Sequence, residues 1–376
     1  MRTRTFLSHL YKPLTKEETD TLKITLTSLY SKTISCLIAA SLVTVPWSFR
    51  GSPVTTAHAA SPEKPGAAQT SLSVYELRRD LYEKIGIQTQ IPWYWLAAID
   101  QYERTITPRS RKKVKSEDQI DRLTSIRFKE GIWSGPINPD PTDKNLTTIA
   151  LFGGIGKDAS ADGAADPTDD HDAMFTMASY LISLGYEEED FQIALWRYYQ
   201  NDSAVKRIRQ FAKIYKTFGP INPTASAFPL PIKSIYTYRD TWGDRRGWGG
   251  LRTHEGTDLF ASYGVPVRSV CYGIIETKGW NPYGGWRIGI RDLNNRYHYY
   301  AHLQGYEKKI EIGDMVTPGQ VIGWVGSSGY GPPGTQGRFP PHLHYGIYRD
   351  TGTTEWAFNP YPLLKQWEKA ERSRSK

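Results

Sequence analysis

Four of the eight histidines fall in three short motifs: His254-Glu255-Gly256-Thr257-Asp258, Tyr300-Ala301-His302-Leu303 and His342-Leu343-His344. Imidazole and carboxylate are the ligands of a hydrolytic zinc ion, which takes three protein ligands and keeps a position open for water. Two histidines with one carboxylate leave the centre net positive, which draws the pKa of bound water toward neutrality. His342 and His344 stand two apart. On a β-strand both rings project from one face, so one can bind metal while its neighbour faces the water. Any one of these histidines alone is an ordinary packed or solvent-facing residue; their conjunction carries the reading.

The three motifs resemble the lysostaphin-type metallopeptidases, whose pattern runs HxGxD, then YxH within a strand, then HLH. The similarity spans Phe228 to Pro362 and takes in Gly264-Val265-Pro266-Val267, Gly313-Asp314-Met315-Val316 and the run from Gly319 to Gly329. The resemblance implies that His254, Asp258 and His344 hold Zn2+ and that His302 and His342 are the catalytic pair. One would accept a proton from the attacking water; the other would stabilise the tetrahedral intermediate or protonate the leaving amine. Which does which stays open. The implied substrate is the peptide part of peptidoglycan. One departure is the Gly/Pro-rich loop from Gly329 to Pro341, longer than the family's connection and expected to border the cleft, so specificity cannot simply be carried over. His298 shares the parity of Tyr300 and His302 in a regular strand. No family position matches it, and it is read as a surface residue or one supporting a ligand from behind.

Two features stand upstream. Pro92 to Glu103 reads as an apolar helix closed by a carboxylate. Asp158, Ser160, Asp162, Asp166 and Asp169 occupy positions 1, 3, 5, 9 and 12 of a run with Gly163 at position 6, the spacing of an EF-hand Ca2+ loop. Asp at position 12 in place of Glu argues for weak binding; the alternative is an acidic turn capping the helix from His171. Together the two features resemble the lysozyme-like domain of lytic transglycosylases over Val74 to Phe218, which implies a glycan site at Glu103. Arg104 follows Glu103 where that family has Ser, and a neighbouring guanidinium is expected to keep the carboxyl ionised. The expectation is therefore glycan binding without cleavage. A bifunctional hydrolase of glycan and peptide, and a catalytically silent wall-binding module, are the competing readings. The combined arrangement resembles the sporulation L-Ala-D-Glu endopeptidases of bacilli, which implies that stem-peptide bond and a role in cell-wall or spore-cortex remodelling.

These motifs need elements to position them. Apolar residues at Leu77, Leu81, Ile85, Leu96 and Ile99 recur at helical spacing, with Pro92 in a first turn. Further helices are expected over His171–Leu184 and Glu189–Tyr199. Beyond the prolines at 220, 223, 229 and 231, short apolar runs split by glycine predict strands over Val265–Val270, Trp286–Ile290, Tyr297–His302, Val321–Val325 and Leu343–Tyr348. The fold class is multidomain, a helical lysozyme-like domain followed by an antiparallel β metallopeptidase domain. The boundaries are a signal peptide or N-terminal anchor over 1–59, a flexible leader over 60–72, the helical domain over 73–219, a Pro-rich linker over 220–232, the peptidase over 233–367 and a charged tail over 368–376.

The uncharged apolar stretch Ile34–Trp47, led by Lys12, Lys16, Lys23 and Lys32 and followed by Ala57-His58-Ala59, predicts export with cleavage after Ala59, or an uncleaved anchor. Residues 1–59 hold seven Lys/Arg and three Asp/Glu of the chain's 47 and 39, so the rest carries only +4. That excludes a nucleic-acid footprint and suits a polyanionic wall. The location is secreted or cell envelope, with membrane contact only through the N-terminal segment. Of the two cysteines, Cys36 falls in that segment, so no intrachain disulfide is expected; Cys271 lies in an apolar run and reads as a small core residue.

Overall fold

The computed structural model describes residues 73–107, 122–219 and 222–375. The expected signal segment, leader, Cys36 and first linker residues lie outside them. Among the described residues α-helices come first: α1 (Val74–Thr89), α2 (Trp93–Ile106), α3 (Leu146–Leu151), α4 (Asp170–Leu181), α5 (Glu188–Tyr199) and α6 (Asp202–Phe218). Ser73 and Glu76 close α1 with a reciprocal capping box. Asn201 caps α6, and Gly219 ends it at φ +73. Leu81, Ile85, Leu96, Ile99, Leu195, Ile208 and Phe211 bury one shared core among these helices.

Strands follow: β1 (Tyr236–Tyr238), β2 (Arg245–Arg246), β3 (Arg252–Thr253), β4 (Thr257–Ala261), β5 (Pro266–Arg268), β6 (Gly273–Asn281), β7 (Gly285–Asp292), β8 (Arg296–Tyr306), β9 (Met315–Val316), β10 (Val321–Val325), β11 (His342–Asp350) and β12 (Glu355–Ala357), then α7 (Tyr361–Arg374). The main sheet runs β1-β4-β11-β8-β7-β6-β9, with β10 bridging β5 and β8, β12 on β11, and β2-β3 a separate hairpin. Every pairing is antiparallel. All five expected strands form, three of them extended by one to four residues at an end. Phe228, Leu259, Ile288, Tyr300, Leu343 and Tyr345 fill the β core.

Strand β8 is not regular. His302 adopts φ +61, and the ladder to β7 shifts register between Trp286 and Ile288. The parity argument that grouped His298 with His302 therefore fails: His298 and Tyr300 are buried against Tyr345, whereas His302 turns into the cleft. His298 is neither a surface residue nor a support of the metal ligands. It meets the Tyr345 hydroxyl at 2.7 Å through Nδ1 and Asp292 at 3.1 Å through Nε2, in the core beside Cys271. Cys271 is buried as expected, and burial pushes its thiol well up.

Residues 73–375 lie within one compact unit. Ile274, Leu293 and Met315 of the β part pack into the helical core. At the junction Arg207 of α6 reaches Asp350 at 3.2 Å and also pairs with Glu276, which Arg291 holds at 3.0 Å. The expected charged tail is instead the end of α7. Glu371 accepts from Arg268 and from the backbone of Phe228, so its charge is spent on docking the helix to the sheet.

Candidate metal centre

Neighbouring strands carry two of the three expected ligands. The β11–β4 pairing sets His344 opposite Asp258, and His254 stands three residues before β4. His254 Nε2 lies 2.9 Å from His344 Nδ1, and Asp258 Oδ1 lies 3.1 Å from each. A tetrahedral zinc with bonds near 2.0–2.1 Å sets its ligand atoms about 3.3 Å apart, so this triangle fits the face of such a site. His254 Nδ1 meets the Thr241 carbonyl at 2.6 Å. A carbonyl only accepts, so the proton sits on Nδ1 and the Nε2 lone pair faces the triangle. Three acceptors brought this close repel unless a cation joins them. Burial raises the Asp258 carboxyl, but the His254 and His344 imidazoles packed against it outweigh that and hold the group far below the usual carboxylate range. Arg246 takes the other oxygen, Oδ2, at 2.5 Å and fixes the carboxylate's orientation. Gly256 is required here: a Cβ would stand 2.5 Å from the His344 ring.

His302 and His342 flank the triangle, their ring centroids 4.8 Å apart. His302 Nδ1 donates to the Ser328 carbonyl and His342 Nδ1 to the Pro340 carbonyl, each at 2.8 Å. Each Nε2 is thereby left with its lone pair. Burial first, then competition with protonation of the nearby His342 and His344 rings, lowers the His302 pKa well below the ordinary value; burial also lowers that of His342. Both rings are neutral at neutral pH and can take a proton.

The five residues line one cleft of about 880 Å³. Tyr330, Phe339 and Pro340 of the Gly329–Pro341 loop form one wall, so the loop borders the cleft as expected. Trp248 stacks on Tyr330 at 4.7 Å. Sequence reasoning missed Arg246, Arg252, Arg287 and Tyr299. They come from the β2–β3 hairpin, β7 and the unmatched parity of β8, and no local spacing marks them.

The upstream features part company. Glu103 is buried and accepts from the Tyr199 hydroxyl at 2.6 Å. Arg104 does not approach it: its guanidinium pairs with Asp100 at 2.6 Å. Burial is the main cause that lifts the Glu103 carboxyl to about 7. The ionised carboxyl inferred from an adjacent arginine is thus corrected. Asp158, Ser160, Asp162, Asp166 and Asp169 do not gather around a common point. Asp158 accepts from Ala161 and Gly163, Asp162 from Ala164, Asp169 from His171 and Asp172, and Asp166 pairs with Lys144 at 2.6 Å. Asp172 draws the loop together through the backbone of Ala159, Ser160 and Asp166. Among the described residues, carboxylates, histidines and cysteines converge in threes only at His254/Asp258/His344 and at buried Cys271/Asp292/His298. Asp169 caps α4, as the alternative reading of this run expected, and no convergence of its carboxylates supports a Ca2+ loop.

The profile of peptidase family M23 matches residues 252–360, the stretch that contains every cleft histidine. The L-Ala--D-Glu endopeptidase of Bacillus subtilis (strain 168) is 54% identical over 315 residues, 83% of this chain and 95% of the relative. Lysostaphin of Staphylococcus simulans is 38% identical over 120 residues, 31% of this chain and only 22% of the relative. The crystallised catalytic domain of that lysostaphin aligns at 34% identity with a TM-score of 0.29, covering 35% of this chain and 92% of its own. With 54% of the aligned residues identical to the Bacillus enzyme across 95% of that enzyme's length, the chain belongs to peptidase family M23.

Proposed function

We propose that this peptidoglycan endopeptidase cuts the stem peptide between L-Ala and D-Glu, outside the cytoplasmic membrane. The observation that carries the bond is the 54% identity to the Bacillus enzyme over 315 residues, well beyond the family's own domain. His254, Asp258 and His344 would hold zinc, as their donor set and triangle suit. Zinc bound there supplies a Lewis acid that lowers the pKa of water and polarises the scissile carbonyl. The chain's residues do the rest. The neutral Nε2 of His302 or His342 takes the proton of the attacking water, and the imidazolium so formed faces the oxyanion and returns that proton to the leaving amine. Tyr330 and Phe339 exclude water from one side.

A second reading has its own observation. A carboxyl raised to about 7, as Glu103 is, stays partly protonated near neutral pH, and the protonated form is the one that glycan cleavage needs. On this reading Glu103, enclosed by Tyr199 and the helical core, is a general acid toward the glycan, and the protein cuts glycan as well as peptide. One experiment covers both readings: mass spectrometry of fragments released from purified peptidoglycan. The expected products are glycan bearing single L-alanine residues and peptides beginning with D-Glu. Glycine-bridge ends or crosslink fragments overturn the assigned bond; anhydro-sugars that vanish in Glu103→Gln make the protein bifunctional.

A further inference from the structure

Two arginines of the cleft rest on aromatic rings and pair with no carboxylate among the described residues. Arg252 lies 5.1 Å over the Tyr283 ring and 5.9 Å over Tyr330, with Nη2 3.3 Å from the Tyr330 hydroxyl. Arg287 lies 6.0 Å over the Tyr299 ring. In both, Nε is buried and without a hydrogen-bond partner among the described residues. The carboxylates lining the same cleft are engaged elsewhere: Asp258 with the histidines and Arg246, Glu355 with Arg291 at 2.8 Å, and Glu255 with the Tyr348 hydroxyl at 3.3 Å. Each arginine is one aromatic ring from the chemistry. Tyr330 stands 6.0 Å from the His302 ring, and Tyr299 stands 5.9 Å from the His344 ring.

A partly buried guanidinium without an anion is costly to the free protein and is matched by a planar carboxylate, which takes two parallel N–H bonds. The bond assigned above supplies that anion. A glutamate uses one carboxyl to continue the chain and keeps the other free, and here it provides the nitrogen of the scissile bond. The free carboxyl therefore lies within about one residue length, ~3.8 Å, of the reacting atoms. We propose that Arg252 and Arg287 form a carboxylate-binding subsite that reads the free carboxyl of the residue on the amine side of the scissile bond. The proposal rests on the L-Ala–D-Glu reading. Aromatic rings under both guanidinium groups hold them in place, so the subsite is pre-formed.

The experiment compares two synthetic stem peptides, one with the free carboxyl and one with that carboxyl converted to a carboxamide, at several ionic strengths. Wild type is expected to favour the acid in kcat/KM by about tenfold or more, the worth of a charge-assisted pair, mainly through KM and less so at high salt. Arg252→Gln and Arg287→Gln are each expected to lower the acid-to-amide ratio, and the double variant to bring it near one. Arg252→Lys, keeping charge but losing the fork, is expected to fall between. A wild-type ratio near one, or a ratio unchanged in the double variant, overturns the subsite while leaving the bond intact. Cleavage of neither peptide by an enzyme that still digests wall overturns the bond, and the subsite with it. If a Gln variant does not fold, the wild-type ratio decides alone.

Discussion

Glu103 shows how a single carboxyl can be misjudged from its neighbours in the chain. Arg104 is adjacent in sequence yet one side chain away in space, bound to Asp100, while Tyr199 from another helix donates to Glu103. Burial is the dominant cause of the shift to about 7 from the ordinary 4.5. The folded pKa exceeds the unfolded one, so the unfolded chain releases its proton first and stability falls as pH rises from about 4.5 to 7. The difference amounts to about 3 kcal/mol above pH 7. Glu103→Gln keeps the acceptor for Tyr199 and removes the ionisation. In urea unfolding it is expected to match wild type at pH 4 and to exceed it by about 3 kcal/mol at pH 8; curves that stay parallel across that range contradict the account.

At the scale of elements, the ladders decide which residues meet. Of the candidate ligands, Asp258 and His344 were legible because they ride on β4 and β11, whose alternation is readable; His254 stands in the loop before β4, and Gly256 leaves room for His344. His302 belonged to the same motif reading, but its orientation depends on a bulge that no spacing announces, and that bulge breaks the parity that grouped it with His298. Arg246, Arg252 and Arg287 arrive from a hairpin and a strand far apart in the chain and so left no local mark. Helix α6 had readable signals, Asn201 before it, Gly219 after it and apolar residues at Ala204, Ile208, Phe211 and Tyr215, yet it was not among the expected elements. This helix matters to the β part. Arg207 joins Asp350 of β11 to Glu276 of β6, and Glu276, despite burial, is lowered to about 2 by Arg291 and Arg207. Arg207→Ala leaves Asp350 facing a gap and is expected to cost about 3 kcal/mol, measured by denaturant unfolding at pH 7. A loss under about 0.5 kcal/mol, the ordinary range for a surface change, contradicts a structural role for this pair.

For the whole molecule, helices and sheet fold as a single compact unit with a shared apolar boundary, and the similarity to the Bacillus enzyme runs through both. The sheet presents one cleft in which a metal triangle, two neutral histidines and an aromatic wall converge. Everything proposed of the reaction depends on that triangle binding zinc. The direct measurement is zinc per chain by elemental analysis, taken beside release of new amino termini from purified wall, for wild type, His344→Ala and His342→Ala. The account predicts one zinc and full activity in wild type, loss of both in His344→Ala, and retained zinc with turnover down about a hundredfold or more in His342→Ala. Wild type without zinc, or His344→Ala releasing amino termini at the wild-type rate, would contradict it.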